Sequence, residues 1–199
     1  MVMEKKLTPR EIKRIESDKK ILEAAINIFG KKGYQYANIR EIANEAGITP
    51  GLISQRFETK ENLLLQTVLV ANSNWIRKKI SLEMSLEELL TNIIEDAKYM
   101  YKKDEKTFIF IYTLCNSIYL PENIHDAQKS FFSKSNTYMI MKNAQKEGQL
   151  PAGDVESLYN IFICNAMRLI RDYARLGLEL PDDKYFFAAI QYKGSVIEE

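Results

Sequence analysis

The sequence holds few of the residues that interrupt helices or bind metals. Its 199 residues include only 8 glycines and 5 prolines, a composition that favours long helices over many short strands. One histidine and two cysteines are present, and the cysteines, Cys115 and Cys164, lie far apart in apolar stretches. A zinc site needs more ligands at close spacing, so we expect two buried, reduced thiols, no metal and no cofactor.

Signals for membrane insertion, secretion and catalysis are missing as well. No run of about 18 or more apolar residues could span a bilayer, and the charged amino terminus lacks the apolar core of a signal peptide. We therefore expect a cytoplasmic protein with no membrane partner. There is no glycine-rich phosphate loop and no nucleophile motif, which argues against an enzyme.

Charge is distributed unevenly along the chain. Residues 1–60 contain 12 Lys and Arg against 8 Asp and Glu, whereas residues 61–199 contain 16 against 19, and the overall net charge is +1. A basic amino-terminal part on a slightly acidic body is a weak indication of a polyanionic partner at that end. Charged helix faces usually contact only solvent, so this asymmetry alone does not establish a polyanionic partner.

Capping residues and apolar spacing predict an all-α protein of about nine helices. The sequence shows no strand-like alternation and no internal repeat. The helix starting at Asp104 is expected to continue to about Leu120. Two more helices are predicted over residues 122–147 and from about residue 181 to 193. The predicted helix caps are Thr8, Asn38, Thr49, Thr59, Ser85, Asp104 and Asp154.

The stretch AGITPGLISQRF, residues 46–57, predicts a tight turn into a short helix. Gly47 stands where a left-handed turn residue is needed, and Pro50 suits the first helical position. Burial of Ile53 and Phe57 would leave Gln55 exposed, where it could read a base edge in a DNA groove. A plain helical corner fits the same spacing, and the spacing alone leaves both interpretations open.

Residues 18–67 carry many marks of a known family of DNA-binding domains. These marks are Ile21, Leu22, Ala25 and Phe29, then Gly33-Tyr34, Ile39-Arg40-Glu41-Ile42-Ala43, Ala46-Gly47-Ile48-Thr49, Gly51, Phe57 and Lys60-Glu61-Asn62-Leu63. These marks extend across residues 18–67 without an insertion or deletion. A match of this length is far more specific than an isolated helix-turn-helix. In these marks the sequence resembles the DNA-binding domain of the tetracycline-repressor (TetR) family of bacterial transcription regulators.

The resemblance implies which residues face DNA. The positions at which family members contact DNA are held here by Arg40, Pro50, Gly51, Ser54, Gln55, Arg56 and Lys60. Amides and hydroxyls at three helix starts could also reach phosphates, namely those of Asn38, Thr49 and Thr59. The family commonly carries tyrosine where Ser54 and Arg56 stand and a small hydroxyl residue where Leu52 stands, so the detailed contacts there should differ.

The carboxy-terminal part is predicted to form a helical bundle. Residues 108–114, FIFIYTL, are apolar on all sides, so their helix should lie at the centre, and Asn116 is expected to be buried beside it. The resemblance implies an effector pocket in this bundle, lined by aromatic side chains and a few polar groups. Plain core packing is the simpler explanation for any single candidate. The candidate effector-binding residues are Trp75, Tyr99, Phe108, Tyr112, Asn116, Tyr119, Phe131 and Tyr138.

The last two predicted helices have wide apolar faces. We expect that one protomer cannot bury both faces, whereas a second copy could do so in a two-fold symmetric four-helix interface. The resemblance implies a homodimer as well. The candidate interface residues are Leu158, Phe162, Leu169, Tyr173, Phe186, Phe187 and Ile190.

Two regions are therefore expected in the chain. Residues 1–60 would form a helix-turn-helix DNA-binding domain whose residues 1–16 are a basic, partly helical extension, and residues 61–199 would bind an effector and dimerise. The resemblance implies a ligand-responsive regulator, specifically a repressor that binds a palindromic operator in double-stranded DNA and is released by a small apolar or aromatic molecule. The alternative is a small-molecule-binding helical dimer without a DNA-regulatory function, in which the basic domain would be idle.

Overall fold

The protein is built from helices alone in the part of the chain that the structure describes. A computed structural model describes residues 7–75, 79–117 and 119–190. These ranges form ten α-helices and one 3₁₀ turn, with no strand and no helix long and apolar enough to cross a membrane. The prediction of an all-α fold is confirmed. The helices are α1 (Pro9–Tyr36), α2 (Ile39–Ala46), α3 (Pro50–Phe57), α4 (Lys60–Trp75), α5 (Leu86–Lys103), α6 (Glu105–Cys115), α7 (Glu122–Ser133), α8 (Asn136–Lys146), α9 (Val155–Leu176) and α10 (Asp183–Phe187), and the 3₁₀ turn is Ala188–Ile190.

The predicted single helix over residues 122–147 is divided into α7 and α8, which accounts for the tenth helix. The division lies at Ser135. Its hydroxyl accepts a hydrogen bond from the backbone N–H of Tyr138 at 3.2 Å and donates one to the carbonyl of Phe132 at 2.7 Å. Serine bonds neighbouring backbone groups in this way at helix starts, so the polar residue ends one helix and caps the next.

One other predicted helix ends earlier than expected. α6 stops at Cys115 rather than near Leu120, because the Asn116 side chain donates to the carbonyl of Tyr112 at 2.7 Å and satisfies one of the last carbonyls of the helix. Asn116 is exposed, so the expectation that it is buried is wrong. At the carboxy terminus, the described part of the predicted last helix reaches Ile190, and its remaining predicted residues lie outside the described residues.

Most of the predicted caps make their local hydrogen bonds. Thr8 with Glu11 and Ser85 with Glu88 form reciprocal capping boxes at the starts of α1 and α5. Thr49 is the exception, because it occupies the capping position of α3 but its side chain makes no capping hydrogen bond. Side-chain caps are also present at Asn38, Thr59, Asp104 and Asp154.

The amino-terminal core unites the first four helices with part of the body. Phe29 of α1, Ile53 of α3 and Leu64 of α4 are buried together, and Phe110 of α6 enters the same cluster. The domain boundary predicted after residue 60 stays a prediction, while the packing places α4 in this first core. α1 to α4 are therefore held against the bundle by shared apolar contacts rather than by a linker.

The second core fills the body between α5, α6, α8, α9 and α10. Phe108, Phe162 and Phe186 are fully or almost fully buried in it. α6 packs on α1, α5 and α9, which makes it the central helix that the sequence predicts. Cys115 and Cys164 are free, half-buried thiols on α6 and α9, with the Sγ of Cys164 3.5 Å from the carbonyl oxygen of Cys115.

The two parts are in tight contact where α1 and α6 cross. Gly30 has no side chain, and the backbone of Phe110 packs directly against it, so that a Cβ placed on Gly30 would lie 3.1 Å from the Cα of Phe110. The Thr113 hydroxyl donates to the carbonyl of Gly30 at 2.8 Å. A displacement of α6 must therefore move α1 or break this contact.

Candidate nucleic-acid interface

α2, the turn after it and α3 form a compact helix-turn-helix. Gly47 adopts a left-handed conformation (φ 68°, ψ 34°), which lets the chain reverse between the helices. The backbone N–H of Ile48 donates to the carbonyl of Ala43 at 3.0 Å and closes the turn. Ile53 and Phe57 face the core, as the sequence predicts, and the opposite side of α3 is exposed.

Polar side chains fix α2 on α1. The amide of Asn27, itself buried, donates to the carboxylate of Glu45 at 2.6 Å. Near the other end of α2, Lys32 forms an ion pair with Glu41 at 2.6 Å. These contacts position the helix-turn-helix on the long α1 and define the orientation in which α3 is presented.

The ten residues predicted to face DNA are almost all accessible. Arg56 and Lys60 are half-buried, and the others are exposed. The exposed ones are Asn38, Arg40, Thr49, Pro50, Gly51, Ser54, Gln55 and Thr59. Asn38 and Thr59 also use their side chains as caps of α2 and α4, so their side-chain oxygens have partners within the protein.

Arg56 has a partner within the protein as well. Its guanidinium contacts both carboxylate oxygens of Asp18 on α1, at 3.1 and 3.3 Å, and only 19% of its side chain is exposed. Arg14 lies 3.8 Å from the same carboxylate. The predicted contact of Arg56 with DNA stays a prediction, and in the absence of DNA this residue links α3 to α1.

Lys60 is held at the start of α4 beside a tyrosine. Its Nζ lies 4.4 Å from the centre of the Tyr34 ring, and burial lowers the pKa of Lys60. The Tyr34 hydroxyl donates a hydrogen bond to the Glu61 carboxylate. Burial, and then this hydrogen bond, raise the pKa of Tyr34 to about 12, while the bond lowers the pKa of Glu61. The hydrogen bond between Tyr34 and Glu61 joins the end of α1 to the start of α4.

A basic cleft between α1 and α3 was not predicted from the sequence. It is open, has a volume of about 500 Å³, and brings the first turns of α1 against α3. Basic residues at spacings of three and four lie on one helical face, so the pattern in residues 10–14 could have identified it. The lining residues are Arg10, Glu11, Lys13, Arg14, Gln55 and Arg56, and we call this group the basic cleft.

The candidate effector-binding residues differ widely in solvent exposure. Phe108 is fully buried and packs edge-on against Tyr101, with ring centres 5.0 Å apart. Tyr112 lies under the guanidinium of Arg171, which is 4.2 Å from its ring centre. Asn116, Tyr119 and Phe131 are exposed, Tyr99 and Tyr138 are half-buried, and the side chain of Trp75 lies outside the described residues. Their role in effector binding stays a prediction.

Four of the seven candidate dimer residues are placed differently from expectation. Phe162, Phe186, Phe187 and Ile190 are at most 4% exposed within a single chain. α10 folds back onto α9 and α5, so one protomer buries apolar faces that we expected to need a partner. These four side chains therefore pack in the body core of a single chain, and their place in an interface stays a prediction. Leu158, Leu169 and Tyr173 are half-buried, and their place in an interface stays a prediction.

Comparison with known families identifies the amino-terminal helices. Residues 21–67 match the family described as bacterial regulatory proteins, tetR family. This range contains most of α1, all of α2 and α3, and the first half of α4. The match therefore coincides with the helix-turn-helix and with the exposed face of α3.

Individual relatives are regulators of transcription. The chain is 31% identical over 134 residues to the uncharacterized HTH-type transcriptional regulator YerO of Bacillus subtilis, a stretch that covers 65% of this chain and 45% of YerO. It thus spans less than half the length of that relative. It is 24% identical over 151 residues to the HTH-type transcriptional regulator QacR of Staphylococcus aureus, covering 71% of this chain and 78% of QacR.

Solved structures share the fold. A TetR family transcription regulator from Marinobacter aquaeolei superposes with a TM-score of 0.64 over 91% of this chain and 95% of that chain, at 19% identity. A TetR-family transcriptional regulator from Haemophilus influenzae gives a TM-score of 0.62 over 88% and 95%, at 17% identity. The helical body after α4 is therefore part of the same overall architecture.

Proposed function

The chain belongs to the TetR family of bacterial regulatory proteins, and on this premise we propose that it binds operator DNA as a homodimer and releases it when a small molecule binds. The family and the relatives are transcriptional regulators, so the expectation that the chain is not an enzyme is confirmed. A cytoplasmic location and a repressor role are part of the proposal.

The exposed face of α3 carries this proposal. α3 hides Ile53 and Phe57 and presents Ser54 and Gln55 to solvent, next to an exposed first turn at Gly51. A glutamine amide can form two hydrogen bonds with an adenine edge, and backbone amides at a helix start bind phosphate.

We propose dimerisation because of the spacing of major grooves in DNA and because the chain resembles TetR-family regulators. Two reading helices engage successive major grooves only when they lie about one DNA turn apart, roughly 34–36 Å, which requires two copies of α3. The half-buried Leu158, Leu169 and Tyr173 of α9 are available for the contact between protomers. A palindromic operator follows from the two-fold symmetry of such a dimer.

Release by an effector needs a connection between the body and the reading helix. The packing of Phe110 and Thr113 on Gly30 provides one, because any shift of α6 acts on α1. α4 provides a second, since it runs from the helix-turn-helix into the body and ends at Trp75. A tenfold loss of operator affinity needs about 1.4 kcal/mol of coupling, and an effector can supply it only by binding the two arrangements with different affinities. We propose an apolar or aromatic effector in the bundle.

Selection of bound fragments from genomic DNA tests the proposal. We expect a short list of palindromic sequences, each bound more tightly than a shuffled fragment in a mobility-shift assay at fixed salt. A small-molecule-binding helical dimer without regulatory function would sediment as a dimer but enrich no sequence. Such a result would refute the proposed function.

A further inference from the structure

We propose that residues 9–18 of α1 form a DNA-contacting arm, in which the basic cleft binds the phosphate backbone next to the groove that α3 reads. The inference rests on the proposed function and extends it to a part of the chain outside the family-matched residues 21–67. The arm contains ten residues and is about 15 Å long, so it would carry the contact surface well beyond the helix-turn-helix.

The charges in the cleft favour a polyanion. Arg10, Lys13, Arg14 and Arg56 supply four cations, against the carboxylate of Glu11 in the lining and that of Asp18, which pairs with Arg56 and Arg14. Spacings of three and four residues place the first three cations on one face of α1. Double-stranded DNA carries one negative charge per about 1.7 Å of axis, so a stripe of cations along a helix can contact more than one phosphate.

The place of the cleft in the molecule identifies DNA as the polyanion. Gln55, the residue proposed to read a base edge, lines the same cleft as the three arm cations. A duplex seated on the exposed face of α3 must therefore pass beside the arm. Phosphate contacts made there would carry no sequence information but would fix the orientation of α3 in the groove.

The arm is ordered before DNA binds. It continues the helix that is buried from Ile21 onward, and its first turn is closed by the capping box of Thr8 and Glu11. Asp18 ties its base to Arg56 on α3. Because the helix is already formed, little conformational entropy is lost when its cations meet phosphates. The hydrogen bonds from Thr8 also lower the pKa of Glu11, so this carboxylate stays charged and opposes DNA.

The test is the salt dependence of DNA binding by a triple variant, Arg10→Gln, Lys13→Gln and Arg14→Gln. The control, Lys102→Gln, Lys134→Gln and Lys146→Gln, removes the same charge from exposed positions of the body. Binding is measured for the selected operator and for a duplex of random sequence. Each lost phosphate contact should reduce the slope of log K against log salt by about 0.9 per protomer, which is about fivefold in affinity at about 0.15 M salt.

The loss should be equal for both duplexes, because the arm contacts the backbone only, and the control should keep the wild-type slope. Glu11→Gln should have the opposite effect and tighten binding to both duplexes by a few fold, since glutamine can keep the capping box while removing the negative charge. Circular dichroism checks that α1 remains helical. A wild-type slope in the arm variant, or an equal loss in the control, overturns the proposal. Failure of the wild-type protein to select any operator instead overturns the proposed function.

Discussion

Replacing Gly30 with alanine should weaken the crossing of α1 and α6. The added Cβ would lie 3.1 Å from both the Cα and the N of Phe110, whereas non-bonded carbon atoms prefer about 3.5–4.0 Å. Both atoms that it meets belong to the backbone, so a rotamer change cannot relieve the contact. The two helices must move apart, which also stretches the 2.8 Å hydrogen bond from Thr113 to the Gly30 carbonyl.

One stabilising and two destabilising contributions set the magnitude of this change. Alanine within a helix is favoured over glycine by about 1 kcal/mol. Overpacking of a tight contact costs about 1–3 kcal/mol, and weakening a hydrogen bond costs up to about 1 kcal/mol. We therefore expect the free energy of unfolding of Gly30→Ala to fall by about 1–2 kcal/mol, measured by urea denaturation with the operator absent.

Gly51→Ala is the matched control for the helix-propensity term. Gly51 also lies in a helix without a positive φ, but nothing approaches within 4 Å of a Cβ placed there. This variant should be stabilised by up to about 1 kcal/mol. If Gly30→Ala gained as much stability as Gly51→Ala, the two helices would have room for a methyl group, and the tight junction inferred here would be refuted.

Three further outcomes are expected. Gln55→Ala should relax the operator preference at one base pair by about 1–3 kcal/mol, measured by competition with operators substituted at each position, and an unchanged preference would show that Gln55 reads no base. Tyr34→Phe should lower stability at pH 7, and the advantage of the wild type should vanish as pH rises from the ordinary tyrosine pKa towards the folded value of about 12, because a raised pKa stabilises only while the phenol stays protonated. The same advantage should shrink in acid as the lowered pKa of Glu61 is passed, and denaturation across the pH range would test both limits. Leu169→Glu should give monomer or misfolded material in sedimentation because it would bury an unpaired carboxylate at the proposed dimer contact, whereas an unchanged dimer would place the interface elsewhere.

The features that the sequence predicted correctly are mostly local. A capping box such as that of Thr8 and Glu11 involves residues three apart, so its signal is contained in a few letters of sequence. The turn at Gly47 and the burial of Ile53 and Phe57 are local in the same sense. A single cap is enough to change the helix count, because the apolar pattern continues on both sides of Ser135 and does not show the break that its hydroxyl makes.

The features that could not be predicted depend on residues that are distant in sequence. The ion pair of Asp18 with Arg56 joins residues 38 positions apart, and no pattern in either segment specifies the other. The wide apolar face that includes Phe186 and Phe187 fits burial inside one chain as well as burial between two. Hydrophobic periodicity shows which face avoids water, but it does not show which surface covers that face.

The entry of Phe110 into the amino-terminal core has a consequence for protein engineering. A chimeric regulator made by joining residues 1–60 to the body of a different protein would leave an unfilled space where Phe110 now packs, and it would lack the backbone that lies against Gly30. Truncating a buried phenylalanine typically costs about 3–5 kcal/mol, a large share of the stability of a small domain. A portable sensor built from this chain should therefore exchange α6 together with the helices before it, or receive a matched aromatic residue in the new body.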